Sequence, residues 1–121
     1  MKTEIIARAA HEIVRAYYSS INFFVPVWED VPEWHAAATI NAVLALIQDP
    51  EKTSEEHHAT WMNERLADGW TLNESEDVDA KEHPYLVPYD DLPHHKKSED
   101  AIFLAAVSSF LDLSWALVDD Q

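Results

Sequence analysis

Apolar side chains recur at helical spacing over the first twenty residues of the chain. Charged side chains lie between the apolar positions, at Glu4, Arg8, Glu12 and Arg15. An apolar stripe with charged residues on the other faces is typical of an amphipathic helix that packs against a core. The pattern predicts a first helix over about residues 3–20. The apolar positions are Ile5, Ile6, Ala9, Ile13, Val14, Tyr17 and Ile21.

Residues 22–28 break this pattern and contain Pro26, which predicts an extended connector. We expect the connector to lay its aromatic side chains over the core. The segment Asp30 to Glu33 then marks a second helix, with Asp30 as N-cap and Pro32 in the first turn. This helix should run to about Gln48 and lie centrally in the core, because it is apolar on nearly every face.

A third helix is predicted to open at the capping box formed by Thr53 and Glu56. It should end at Gly69, the only glycine of the chain, which we expect to adopt a positive φ. Residues 70–93 are irregular and predict one or two short strands or extended pieces. Ser98 to Asp100 then predict the cap of a last helix, which reaches the acids at 119 and 120.

The elements together predict a mainly α fold, with about four helices and short extended or β pieces between the third and the last. A length of 121 residues suits a single domain over residues 1–121. The absence of cysteine excludes disulfides, thiolate metal sites and a cysteine nucleophile. Charged residues interrupt the N-terminal apolar positions, so neither a signal peptide nor a membrane span is predicted. We expect a cytoplasmic protein.

The net charge of −15, from 23 acidic and 8 basic residues, narrows the classes of partner. Such a field repels polyanions, so direct binding of nucleic acid is not expected. It is compatible with simple solubility, with docking of a basic protein, and with loose attraction of divalent cations.

Sites for catalysis, cofactors and metals are poorly represented in the sequence. No serine lies in a glycine-flanked elbow, and the glycine-rich loops that cradle phosphates are missing. His57 and His58 are adjacent on a predicted helix and point about 100° apart, so they do not share one ion easily. We therefore predict no catalytic residue, no metal and no cofactor, and expect that the protein is not an enzyme.

Aromatic, histidine and basic residues are concentrated in the middle of the chain. Aromatic faces beside cations suit a nucleotide or another planar anionic ligand. The same aromatic residues also suit an ordinary hydrophobic core, and their spacing does not decide between the two interpretations. The residues are Trp61, Arg65, Trp70, Lys81, His83, Tyr85 and Tyr89.

An ordered set of motifs over this region resembles the RyR domain, the repeat of ryanodine receptor calcium channels that also occurs singly in bacterial and phage proteins. Upstream, His11-Glu12 with Arg15, and Trp28 to Trp34, are similar to the bacterial form, so the resemblance spans roughly residues 5–110. The central motifs are His58-x-x-Trp61, Arg65-Leu66-x-x-Gly69-Trp70-Thr71, Lys81-x-His83-Pro84-x-Leu86-Val87-Pro88-Tyr89, and Leu92-Pro93 with Lys97 and Asp100.

The resemblance implies a mainly helical, non-enzymatic module that senses or sequesters a small, nucleotide-derived ligand. Because the channel repeats occur in pairs, it also implies that a single domain pairs as a homodimer. The alternative is an acidic interaction or structural module that docks a basic protein, as a mimic of nucleic acid. On the first hypothesis the ligand-binding residues are Arg15, Trp61, Arg65, Trp70, Lys81, His83 and Tyr89.

Overall fold

The computed structural model describes the backbone of residues 3–119 and the side chains of residues 3–112. The described residues form four α-helices, and one pair of short strands lies between the third and the fourth. This architecture confirms the predicted mainly α fold. The elements are α1 (Thr3–Ser20), α2 (Glu33–Gln48), α3 (Ser54–Ala67), β1 (Thr71–Leu72), β2 (Glu82–His83) and α4 (His94–Asp119).

The chain divides into two compact units. Unit 1 comprises Met1–Lys52 and Ala101–Gln121, and unit 2 comprises Thr53–Asp100. The helix α4 begins in unit 2, and its longer part belongs to unit 1. That the chain is a single domain stays a prediction.

The core of unit 1 is made by one stripe from each of three helices. The predicted bounds of α1 are confirmed, and its buried stripe includes two small residues, Ala7 and Ala10. Burial of such apolar stripes is the main stabilising term of a helical core. The buried members are Ile6, Ala7, Ala10, Val14 and Tyr18 of α1, Val43 and Leu46 of α2, and Phe103, Ala106 and Val107 of α4.

The central burial predicted for α2 is wrong. Only Val43 and Leu46 are buried, whereas Trp34, Leu44 and Ile47 each keep 41–42% of their surface exposed. The core of unit 1 takes up one stripe of α2, so its other apolar faces are left uncovered.

The predicted cap of α2 is wrong as well, although the predicted end at Gln48 is confirmed. The N-cap is Pro32, because Asp30 ends a separate 3₁₀ turn over Trp28–Asp30. The backbone N–H of Asp30 donates to the carbonyl of Val27 in this turn, which ends before α2 begins.

The connector between α1 and α2 is pinned to α1 by two polar contacts. The Nε2–H of His11 donates to the carbonyl of Pro26 over 2.8 Å, and the backbone N–H of Trp28 donates to Glu12 Oε2 over 3.0 Å. The prediction that aromatic side chains of the connector cover the core is wrong for Phe24, which is 90% exposed, whereas Phe23, 51% exposed, meets the ring of the core residue Tyr18 edge-on at 5.8 Å. Trp28 does pack against the core.

Unit 2 begins with the predicted capping box, and both of its hydrogen bonds are present. The N–H of Glu56 donates to Thr53 Oγ1, and the N–H of Thr53 donates to Glu56 Oε1. The helix α3 ends before Gly69, whose φ of +87° confirms the expected positive value. The predicted short β pieces are confirmed as a parallel pair, β1 beside β2, in which Leu72 is in register with His83.

The predicted start of the last helix is wrong, because α4 begins at His94, four residues before Ser98. The carbonyl of Pro93 accepts hydrogen bonds from the N–H groups of Lys96 and Lys97 and so opens the first turn. Ser98 and Asp100 therefore lie inside the helix. Of the two acids predicted at its end, Asp119 is the last helical residue, and Asp120 lies outside the described residues.

Candidate functional site

Trp61 is the centre of a group of aromatic and basic side chains in unit 2. On the same helix, the ring of His58 stacks on it with 5.5 Å between centroids and an interplanar angle of 28°. The ring of His83 meets Trp61 edge-on at 4.9 Å. Trp61 therefore contacts residues from both α3 and β2.

Two cations also lie close to this ring. The guanidinium carbon of Arg65 is 5.8 Å from the centroid of Trp61 and 5.4 Å from that of Trp70. The Nζ of Lys96 is 6.0 Å from the centroid of Trp61. These distances are within the range of cation–π attraction. We call Trp61, Arg65, Trp70, His83 and Lys96 the Trp61 cluster.

The local fold explains how these residues meet. Trp61 and Arg65 are four positions apart on α3 and therefore share one face of the helix. The turn at Gly69 reverses the chain, and the N–H of Trp70 donates back to the carbonyl of Arg65 over 3.0 Å. The pairing of β1 with β2 then places His83 beside Leu72, two residues after Trp70.

His83 is held neutral in this position. The backbone N–H of Tyr85 donates to its Nδ1 over 3.0 Å, so the ring proton is on Nε2. Burial first, and then the positive charges of Lys96 and Arg65, together lower the pKa of His83 from 6.5 to about 4. At neutral pH His83 is thus a hydrogen-bond donor through Nε2.

Lys96 is paired with two carboxylates one helical turn away. Its Nζ lies 2.5 Å from Glu99 Oε2 and 3.5 Å from Asp100 Oδ1. Burial alone would lower the pKa of Lys96, but the charges of Glu99 and Asp100 outweigh that effect and raise it. Lys96 therefore stays cationic.

Asp100 is the most deeply buried carboxylate of this group, with 3% of its surface exposed. Burial raises the pKa of Asp100, although the ammonium of Lys96 acts in the opposite direction. Its Oδ1 is also 4.0 Å from Nε2 of His57, and within the part of the chain that the structure describes its Oδ2 has no hydrogen-bond partner. Because Glu99 lies closer to the Nζ of Lys96 than Asp100 does, Glu99 is the principal counter-ion of Lys96.

Tyr89 is connected to the cluster through His58. The two rings are 6.4 Å apart, and the Nε2–H of His58 donates to the carbonyl of Val87 over 2.7 Å. The Nζ of Lys97 lies 5.4 Å from the centroid of Tyr89. Tyr89 is therefore a second aromatic ring with a neighbouring cation.

The structure brings together only some of the predicted ligand-binding residues. Trp61, Arg65, Trp70 and His83 meet in the Trp61 cluster, and Tyr89 joins them through His58. Lys81 instead faces Asp68, whose carbonyl accepts a hydrogen bond from its Nζ over 2.9 Å. Arg15 belongs to unit 1, where its guanidinium pairs with Glu12 at 2.8 Å. The ligand-binding role of each residue stays a prediction.

Lys96 is the member of the cluster that the sequence analysis missed. Its signal was the spacing to Glu99 and Asp100, three and four positions later, which predicts ion pairs on one face of a helix. The signal was hidden because the helix was predicted to begin only at Ser98.

The described residues contain no group of three or more histidine, aspartate or glutamate side chains placed to hold a metal ion. None of the helices in residues 3–119 has the length and apolar character needed to cross a membrane.

Comparison with known families addresses the resemblance seen in the sequence. The family model of the RyR domain matches residues 38–117, which is well over half of the chain and includes all of unit 2. The segment around His11 and Glu12 precedes the matched residues. A comparison with curated proteins finds no match. On the extent of the family match, the chain belongs to the RyR domain family.

Proposed function

We propose that the Trp61 cluster is the binding site for a small anionic molecule of the nucleotide-derived class, and that the protein is a non-enzymatic, cytoplasmic binding module. The observation that supports this most strongly is the convergence of Arg65 and Lys96 on the ring of Trp61. The chain as a whole carries a net charge of −15, and two of its 8 basic residues meet at this ring, where Glu99 and Asp100 are the counter-ions of Lys96.

The lowered pKa of His83 supports a positive local potential. After burial, the largest causes of the lowering are the charges of Lys96 and Arg65. Burial, the largest cause, disfavours an anion as well, but the charges of Lys96 and Arg65, which outweigh the opposing charge of Glu99, favour one. The neutral imidazole supplies a donor at Nε2, so a phosphate or carboxylate oxygen would find both charge and a directed hydrogen bond.

The aromatic residues divide into two roles under this proposal. Trp70 is only 7% exposed, so it serves as a platform that holds Arg65. Trp61 and Tyr89 are partly exposed and have the surface needed to contact a planar base. An anionic group joined to a planar ring is the chemistry of a nucleotide, which favours that class over inorganic anions.

The test is a thermal-shift screen of the purified protein against adenine and guanine nucleotides, cyclic dinucleotides and ADP-ribose. A ligand at 100 times its Kd adds about 2.7 kcal/mol to the free energy of unfolding, which a thermal shift detects readily. We expect stabilisation by one chemical class, and weaker binding to the Arg65→Gln variant.

The matched control is Arg8→Gln, which removes the same charge from an exposed residue of unit 1 that pairs with Glu29. The proposal requires that Arg8→Gln binds as the wild type does. Equal loss of binding in both variants would show that only net charge matters, and no stabilisation by any member of the panel would contradict the proposal.

A second candidate function is supported by residues 73–80, all of which are exposed. Glu74, Glu76, Asp77 and Asp79 lie in this segment and present a dense negative charge to a basic protein. This function predicts a complex that weakens steeply with salt and with neutralisation of these acids. Binding of that kind would be unaffected by Arg65→Gln.

A further inference from the structure

The ammonium of Lys96 already has acidic partners on its own helix. Its Nζ lies 2.5 Å from Glu99 Oε2 and 3.5 Å from Asp100 Oδ1. The same nitrogen is 6.0 Å from the centroid of Trp61, the ring at which an anion is proposed to bind. A bound anion and the two carboxylates would place three acidic groups around one positive charge. Because the three groups repel one another, one of them has to leave.

Glu99 is the acid that can leave at the lower cost. Its side chain keeps 27% of its surface exposed, whereas that of Asp100 keeps only 4%. A carboxylate that already contacts water becomes fully hydrated when its side chain rotates outward, but a buried carboxylate has no such route. The closer partner of Lys96 is thus also the exchangeable one, and Asp100 stays beside the ammonium.

This exchange costs free energy for every anion that binds to Lys96, and ligands differ in how well they offset it. Free inorganic phosphate gains only contacts with cations and hydrogen-bond donors. A nucleotide carries the same anionic group and can also stack a base on Trp61, which is partly exposed. The ion pair between Lys96 and Glu99 should therefore exclude free phosphate more effectively than it excludes a nucleotide.

We propose that Glu99 is an internal competitor for Lys96, which makes the Trp61 cluster selective against free phosphate. The inference rests on the proposed function, because it places the anion of the ligand at Lys96. It adds the residue that determines which anions can bind. Glu99 has this role without contacting the ligand, because it acts through its contact with Lys96.

The first test titrates inorganic phosphate into the wild type and into Glu99→Gln at constant ionic strength. The indole N–H signal of Trp61, followed by NMR, reports binding beside Lys96. Gln has nearly the size of Glu but lacks its charge, so it holds the ammonium less strongly. We expect phosphate to bind to Glu99→Gln about tenfold more tightly than to the wild type, because one charged hydrogen bond no longer has to be broken.

The matched control is Glu64→Gln, which removes the same charge from an exposed residue of α3. Glu64 directly precedes Arg65 in the chain, so it tests the general effect of one negative charge fewer near the cluster. We expect its phosphate affinity to differ from the wild type by less than about twofold, because salt screens exposed charges.

A further variant separates competition from simple repulsion of the ligand. Glu99→Asp keeps the negative charge, but its side chain is one methylene shorter and reaches Lys96 less well. Competition predicts a phosphate affinity between those of the wild type and Glu99→Gln. A charge that only repels the ligand predicts the affinity of the wild type.

Neither Glu99 nor Glu64 is buried, so thermal unfolding by circular dichroism should show that all three variants are folded. Equal phosphate affinity of the wild type and Glu99→Gln would overturn the proposal. Wild-type affinity of Glu99→Asp, an equal gain in Glu64→Gln, or an unchanged Trp61 signal in Glu99→Gln would do so as well. The titrations contain no nucleotide, so the competitor role of Glu99 can fail while the nucleotide screen succeeds, and the reverse.

Discussion

The two units of this protein are stabilised by different chemistry. Ile6, Val43 and Val107 of unit 1 are almost completely buried in a core of aliphatic and small side chains. Each unit buries a histidine, His11 in unit 1 and His58 in unit 2, but the buried carboxylate of the described residues, Asp100, belongs to unit 2 and lies next to aromatic rings and cations. Unit 1 is thus mainly an apolar helical core, whereas unit 2 places charged groups where water is scarce.

This difference explains why the candidate site belongs to unit 2. Buried charges and hydrogen bonds cost free energy unless they are paired in one specific geometry. Such groups fix the orientation of their neighbours and can recognise a ligand by charge and direction. An aliphatic core offers neither property. Three substitutions distinguish the two units, with effects of decreasing size.

The largest effect should come from truncating the core of unit 1. Ile6→Ala should lower the free energy of unfolding by about 3 kcal/mol, because a buried isoleucine loses its contacts and leaves a cavity. The neighbouring Ile5 is 54% exposed, so Ile5→Ala should cost less than ~1 kcal/mol. Chemical denaturation measures both. Equal losses would contradict the assigned core.

An intermediate effect should come from the ion pairs of unit 2. Lys96→Met leaves Asp100 buried without its cation and should cost about 2 kcal/mol, less than the 3–5 kcal/mol for a fully buried pair because Lys96 is partly exposed. The double variant with Asp100→Asn should recover part of that loss. A double variant less stable than Lys96→Met would mean that Asp100 has other essential partners.

The smallest effect concerns pH. The folded protein holds the pKa of His83 at about 4, below its usual 6.5, so between these values the unfolded chain binds the extra proton. The contribution of His83 to the free energy of unfolding is fully present above pH 6.5 and is lost as the pH falls towards 4. His83→Gln should therefore flatten the decline in the free energy of unfolding over this range.

The control for this pH profile is His94→Gln, at an exposed residue that starts α4. It should leave the decline as steep as in the wild type. Parallel curves for His83→Gln and the wild type would refute the buried, neutral state of His83.

Much of the fold followed from local sequence signals. The stripe on α1, the capping box at Thr53 and the turn at Gly69 each depend on residues within a few positions of one another. These features can be predicted from the sequence, because each depends on interactions between residues that are close along the chain. The family model also matches residues 38–117, which contain the central RyR-like motifs identified in the sequence.

The failures were of a different kind. The apolar composition of α2 predicted burial on all faces, but exposure depends on how much of the helix the rest of unit 1 covers. The exposure of Phe24 could not be predicted for the same reason, because hydrophobicity alone does not show whether other residues of the folded chain cover a side chain. Ser98 has the residue type of an N-cap, but the carbonyl of Pro93 opens the helix four residues earlier, at His94.

The candidate site was predicted in part for the same reasons. Trp61 and Arg65 share a helix face and could be paired from sequence, whereas Lys96 reaches them only through the tertiary fold. The positive charge of Arg15 and Lys81 suits an anionic ligand, but in the structure each is paired with a nearby acid, Glu12 and Asp68 respectively. Charge alone does not tell whether a basic residue is engaged locally.

A ligand site at the Trp61 cluster is tested by following the tryptophan indole N–H signals by NMR while the nucleotide panel is added. Signals are assigned by single Trp→Phe variants. We expect that one class of ligand shifts the signals of Trp61 and Trp70 in unit 2 and leaves those of Trp28 and Trp34 in unit 1 unchanged. Shifts confined to Trp28 or Trp34, or no shift with any member of the panel, would contradict it.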